Sequence, residues 1–164
     1  MIKGYKCFYK DLKNLYNIKF EIGKTYSTTG NIKYGIYGNG FHMCKNIEDT
    51  FKFFDIKNKE IEICEVIGLG KIITYEDKYY DYYDMYSVEK IYIKRKLIRE
   101  EIIEIGLNLP EIRLVRFIEG YKLTDNEINL FKNKFYNNKR ILNYISYYQD
   151  NKKDVFKLTL KKQS

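Results

Sequence analysis

Alternating apolar and polar residues dominate the first hundred positions, and helical spacing dominates the rest. Residues 2–9 (IKGYKCFY) read as a first strand, followed by a turn or short helix at Lys10–Leu15. Ile18, Phe20 and Ile22 fall on one face of residues 18–26, the period-two signature of a half-buried strand. The Gly-punctuated stretch STTGNIKYGIYGNG, which includes Gly35, Gly38 and Gly40, must contain turns. Gly40-Phe41-His42-Met43-Cys44 then reads as a short strand. Asn46 is expected to cap a helix over 47–54, with Glu48 and Asp49 at its positive end and Ile47 buried together with Phe51 or Phe54. Residues 61–68 and 70–75 predict two strands that meet at a bulge or tight corner around Gly68 and Gly70. The run 75–86 (YEDKYYDYYDMY) follows no clean period and is expected to be a loop, after which 86–95 resume strand character.

Beyond that point the period changes. Residues 97–105 are helix-like and are expected to stop at Gly106, and Pro110 suits the first turn of a helix running to Glu119, with Gly120 as its stop. Thr124 and Glu127 form a capping box that opens a helix presenting Ile128, Phe131 and Phe135. A further helix over 138–149 carries Ile141, Tyr144, Ile145 and Tyr148 at helical spacing, and 154–160 (DVFKLTL) read as a closing strand. The fold predicted is α+β. A mainly antiparallel sheet with a short helix occupies residues 1–105, and a helical extension over 106–164, ending in a strand, packs on it.

Composition narrows the class. A chain of 164 residues with 45% apolar and 32% charged residues can bury a core without disulfides or a structural metal. No apolar run approaches the roughly 20 residues of a membrane span, and the alternating N-terminus does not read as a secretory signal. Three cysteines (Cys7, Cys44, Cys64) without C-x-x-C spacing argue against a disulfide framework or zinc knuckle and for a reducing compartment. A cytoplasmic location, in a bacterial host, is the expectation. No membrane partner is expected.

The net charge of +8 biases partners towards anions. It needs discounting, because 25 of the 30 basic residues are Lys in a chain without Ala or Trp, the usage of an AT-rich genome. Its distribution says more. Residues 1–40 carry a net +5, 41–86 a net −4, 87–121 a near balance, and 122–164 a net +6.

Four segments carry a family resemblance: Lys3-Gly4-Tyr5-Lys6, Gly23-Lys24-Thr25-Tyr26, Gly40-Phe41-His42-Met43-Cys44-Lys45-Asn46, and Glu65-Val66-Ile67-Gly68-Leu69-Gly70-Lys71-Ile72. In order and spacing they resemble a family of small uncharacterised domains found in phages and bacteria. The resemblance implies a phage or mobile-element origin rather than a chemistry. It covers about residues 1–105, departs in the Tyr-rich stretch 79–86, and leaves the extension outside it.

Candidate chemistry starts from His42, the chain's one histidine. In a strand it shares a face with Cys44, the start of a Cys–His pair; the plainer reading is a packed histidine at the mouth of a strand. A fuller enzymatic reading is ADP-ribosyl transfer with NAD. Transferases of that fold present a basic or His residue on an early strand, then a Ser/Thr-rich strand, then a later Glu. The order Lys3 or Lys6, Ser27-Thr28-Thr29, Glu60-Ile61-Glu62 is similar, which makes Lys6, His42 and Glu62 the catalytic candidates. It departs in having no Arg before residue 95 and in placing Ser27-Thr28-Thr29 among turn residues. No phosphate-cradling motif and no metal-ligand spacing occurs. Acidic pairs such as Glu100-Glu101 and Asp49 with Asp55 are expected on surface helices or their ends.

Two further stretches are binding candidates. Within 75–86, Tyr79, Tyr80, Tyr82 and Tyr83 alternate with Asp81 and Asp84, offering large amphipathic contact area at little entropic cost. In the extension, Lys132, Lys134, Lys139 and Arg140, with Lys152 and Lys153 beyond, interleave with Tyr136, Tyr144, Tyr147 and Tyr148, a pattern that grips single-stranded nucleic acid. The simpler reading of the latter is a solvated basic face over core tyrosines. The function expected is therefore binding without catalysis or cofactor, directed at host machinery such as a defence system. The partner expected is a host protein or ribonucleoprotein, with nucleic acid as a further candidate and NAD-dependent ADP-ribosyl transfer as the alternative.

Overall fold

The structure, a computed structural model, describes residues 1–33, 38–53, 60–74 and 85–150. The chain divides into two units, Met1–Ile98 and Arg99–Ser164. The expected strand at 154–160 lies outside the described residues, as do Phe54, Asp55, Gly35, Lys152 and Lys153.

In the first unit β1 (Ile2–Tyr9) is followed by a 3-10 turn (Lys10–Leu12), β2 (Thr25–Ser27), β3 (Phe41–Cys44), α1 (Ile47–Thr50) with a 3-10 turn (Phe51–Phe53), β4 (Ile61–Thr74) and β5 (Met85–Lys96). All pairings are antiparallel. The order is β2-β5-β3-β1-β4, and β4 also pairs with β5, so β5, β3, β1 and β4 form a closed circuit. Its tightest seam is the pair Tyr5↔Cys44 between β1 and β3. Gly4 makes that seam achievable: a Cβ there would overlap the Cys44 carbonyl oxygen and lie 2.8 Å from Met43 Cε.

Where two strands were expected at 61–68 and 70–75, β4 is continuous. Gly70, at φ +72°, sits in an irregularity between Leu69↔Lys90 and Ile72↔Val88, with the Lys71 amide donating to Glu89 Oε2 at 2.9 Å. The strand survives this bulge because β5 resumes pairing beyond it, as far as Thr74↔Tyr86. Met85 and Tyr86 thereby belong to β5 rather than to the expected loop. A second shift, between Glu65↔Arg95 and Val66↔Ile93, makes Lys94 the extra residue. Both Lys94 (2.9 Å) and Arg95 (2.8 Å) then reach the Glu65 carboxylate.

Phe8, Phe20, Met43, Cys64, Val66, Val88, Ile91 and Ile93 form the core of this unit. Phe20 is its aromatic hub, with ring centroids 5.2 Å from Phe8, 4.7 Å from Tyr26 and 6.3 Å from Phe41. On the opposite face of β1, the Cys7 thiol donates to Thr50 Oγ1 at 3.0 Å and ties α1 to the sheet. All four residues of α1 are buried, Glu48 and Asp49 included, so Asp49 is not the surface acid the sequence predicted. Asn46 has the extended backbone of a cap, but its side chain donates to Asp49 Oδ2 (3.0 Å) instead of accepting from the helix.

The predicted strand over 18–26 is corrected to β2 alone. Asn17 at φ +62° and Gly23 at φ +80° break the extended backbone on both sides of Phe20. Phe20 is buried, whereas Ile18 and Ile22 are exposed.

The second unit contains α2 (Arg99–Leu107), α3 (Glu111–Gly120), α4 (Asp125–Lys134), α5 (Lys139–Ile145) and a π-helical turn (Ser146–Asp150). Leu114, Phe117, Ile118, Phe131, Ile141 and Ile145 are fully buried, with the Phe117 and Phe131 rings stacked at 5.9 Å. Gly106 does not stop α2, as expected, but lies inside it, because a Cβ there would come within 2.6 Å of the Phe117 ring. The capping box is present: Thr124 Oγ1 accepts from the Glu127 amide (3.3 Å), and Glu127 Oε2 accepts from the Thr124 amide (2.7 Å). Glu127 also takes both ends of a bidentate bond from Arg99 at 2.7 Å, and Arg99 covers the Tyr121 ring at 5.2 Å. The expected helix over 138–149 is α5 plus the π turn. That turn carries buried Gln149 to the α3–α4 connection, where its side chain donates to the Ile118 and Tyr121 carbonyls and accepts from the Leu123 amide.

Two substitutions test this account. Gly4→Ala, by forcing β1 from β3, should destabilise the protein by about 3 kcal/mol in urea unfolding. Gln149→Ala leaves buried backbone groups without partners and should cost about 2–3 kcal/mol, with a matching fall in the denaturation midpoint.

Candidate functional site

Strand alternation decides which candidate side chains share a face. Lys6 pairs with Cys64 and Glu62 with Phe8, so both lie on the core-facing side of the sheet. Phe41 and Met43 pack against that core, which puts His42 and Cys44 on the other side, beside Ser87 and Met85 of β5. The structure thus brings Lys6 and Glu62 to one face and turns the His42 imidazole to the opposite one. Ser27 ends β2, paired with Lys90, and Thr28 and Thr29 follow it.

Lys6 and Glu62 are held by structural bonds. Lys6 Nζ donates to the His42 carbonyl oxygen at 2.7 Å, bridging β1 and β3 next to the Tyr5↔Cys44 pair, and lies 5.6 Å from the Phe8 ring centre. Burial lowers the Lys6 pKa. His42 is lowered by burial first and by the Lys6 charge second, which keeps the imidazole neutral at pH 7. Glu62 takes Lys96 Nζ and the Leu12 amide, each at 2.8 Å. Burial raises its pKa, but those bonds and the Lys96 charge outweigh it and hold the carboxyl below its usual range. A carboxylate occupied in this way anchors the Lys10–Leu12 turn to β4.

The cysteines are free and buried on β1, β3 and β4, the small-hydrophobe role expected of them. Burial pushes the Cys7 and Cys64 thiols up to about 12, and Cys44 is raised as well, with the Asp49 charge adding to burial. Thiolate chemistry is therefore suppressed at all three.

Exposed apolar residues gather instead at a place the sequence did not mark. Leu15, Tyr16, Ile18 and Ile22 are 68%, 72%, 55% and 45% exposed. The turn bearing the first three is locked by hydrogen bonds: Asn14 Oδ1 accepts from the Tyr16 (3.0 Å) and Ile18 (2.9 Å) amides, and the Asn17 amide donates to the Asn14 carbonyl (3.0 Å). The signal was the pair Asn14 and Asn17 around Leu15-Tyr16, since Asn closes turns through its own side chain. Period-two spacing of Ile18, Phe20 and Ile22 masked it.

Tyr79, Tyr80, Asp81, Tyr82, Tyr83 and Asp84 lie outside the described residues; the segment 75–84 joins the paired ends of β4 and β5. In the second unit, Lys132 and Lys134 occupy the last turn of α4 and Lys139 and Arg140 the first turn of α5. Tyr144 and Tyr148 are half-buried and stack at 5.8 Å, over fully buried Ile141 and Ile145, while Tyr147 is exposed. Among the described residues, no group of three or more His, Cys, Asp or Glu is placed to hold a metal ion, and no helix is long and apolar enough to cross a membrane.

An antiparallel sheet with a short helix, followed by a helical unit, defines an α+β protein. The family described as "Domain of unknown function (DUF7666)" matches residues 2–105, and the chain belongs to that family. No curated protein and no solved structure matches it.

Because the reactive species of cysteine is the thiolate, native protein at pH 8 should resist iodoacetamide. In urea all three cysteines should alkylate within the same time, as read by intact mass. Rapid native alkylation of Cys44 would contradict the raised pKa.

Proposed function

We propose that this chain is a binding module of phage or mobile-element origin that engages a host protein and works by contact rather than by catalysis. The observation that carries this reading is the Asn14–Ile18 turn, which holds Leu15, Tyr16 and Ile18 in solvent. Large apolar side chains fixed at a turn lose little entropy on docking and are the kind that dominate interface energies. Several exposed apolar side chains on one turn mark an interaction surface. Two further points support the reading. Lys6 and Glu62 are engaged in bonds that hold the sheet together. The Tyr/Asp segment 75–84 follows Thr74, which pairs with Tyr86 at the end of the β4–β5 ladder, and we assign it as a second contact element of the same unit. The resemblance of residues 1–105 to small phage and bacterial domains supports the origin and, with it, host defence machinery as the target class.

Capture from host lysate by the immobilised full chain, after nuclease treatment, tests the reading. A stoichiometric protein partner is expected, weakened roughly tenfold or more by the double variant Leu15→Ser, Tyr16→Ser. Replacing Tyr79, Tyr80, Tyr82 and Tyr83 by Ser should weaken it further. Equal capture by all three proteins would sink the contact reading. NAD consumption abolished by Glu62→Gln would replace it with ADP-ribosyl transfer.

A further inference from the structure

The α4–α5 connection offers a surface of different chemistry. Residues 134–139 line an open depression of about 570 Å³. Tyr136, one of the lining residues, is 70% exposed. It follows Phe135, which is half-buried and 6.4 Å from the fully buried Phe131 ring, so the connection is anchored in the helical core. The Phe135 amide closes on the Phe131 carbonyl and the Asn138 amide on the Phe135 carbonyl (3.0 and 2.8 Å), which fixes the backbone on both sides of Tyr136. Asn138 also caps α5 through the Ile141 amide (3.1 Å) and donates to Glu111 Oε2 (3.1 Å).

Around this fixed aromatic stand cations. Lys134 and Lys139 line the depression, Arg140 directly follows its last lining residue, and Lys132 lies two residues before the first. Lys134 donates to the neutral amide oxygen of Asn108 at 3.0 Å, which orients the ammonium without cancelling its charge. Arg140 meets Glu111 at 3.3 Å in an exposed pair of the kind that contributes little. Lys132, Lys134, Lys139 and Arg140 fall within nine residues of one another, a local density of positive charge that favours an anion.

We propose that this depression binds single-stranded nucleic acid, with a base stacked on Tyr136 and flanking phosphates on Lys134, Lys139 and Arg140. A single strand offers a π-face for each phosphate, the alternation that an aromatic between cations reads, whereas an acidic peptide would use the charges and leave Tyr136 idle. The surface lies on the second unit and does not depend on the contact reading of the first.

Fluorescence anisotropy of the full chain with labelled oligothymidylate and oligouridylate, across a salt series, tests the site. Binding is expected to weaken as salt rises, with a log–log slope near −2 for about three phosphate contacts. Tyr136→Ala should weaken it by roughly tenfold, and Tyr136→Phe should restore it. Lys134→Ser with Lys139→Ser should flatten the slope. Both positions are exposed, and circular dichroism checks that the variants keep their helices. No binding at low salt would overturn the proposal. So would binding that ignores Tyr136→Ala, or equal affinity for polyglutamate, since either outcome describes a general polyanion surface.

Discussion

The contact on which the first unit depends is the approach of β3 to β1 at Tyr5↔Cys44. Without it the strands form an open sheet with β1 at one interruption and β3 at the other. With it, four strands close on themselves, and the edges that would otherwise demand partners are largely satisfied within the unit. Closure over so few strands leaves a narrow interior, which explains the missing side chain at Gly4 and the packing of Phe8 against Phe20. The same seam explains Lys6. With one paired residue joining the strands, its ammonium supplies an additional tie to the His42 carbonyl, at the cost of burying a charge.

Charged residues in this protein are deployed mainly as ties. Glu65 collects both Lys94 and Arg95 because a register shift sets those neighbours on consecutive positions. Glu62 links β5 and the first turn to β4, and Arg99 gathers Glu127, Lys122 and Tyr121 at the start of α4. A residue type that suggests catalysis in a sequence thus acts in the fold as a bracket. The groups proposed for recognition lie on turns, Leu15 and Tyr16 in one unit and Tyr136 in the other, with asparagine hydrogen bonds to nearby backbone in each.

Legibility varied with the range of the interaction. The capping box at Thr124 and Glu127 was readable because its partners are three residues apart, and the helices around it because Ile128, Phe131, Ile141 and Ile145 keep one period. The Gly70 bulge was readable as an irregularity, since glycine at such a place has a local backbone cause. The continuity of β4 through it was not, because it rests on β5, more than a dozen residues away. Gly106 looked like a stop by the same local logic and proved to be the space occupied by the Phe117 ring.

By itself, then, the sequence determined the α+β class, the helices with clean periods, the capping box at Thr124, and the segregation of charge along the chain. These follow from hydrogen bonds and apolar faces that repeat within a few residues. Tertiary structure alone decided that the sheet closes, that Lys6 and Glu62 share a face away from His42, that Asp49 is buried, and that Ile18 and Ile22 face solvent. Those outcomes depend on which distant strand supplies the neighbour, and a one-residue shift in register reverses every face it touches.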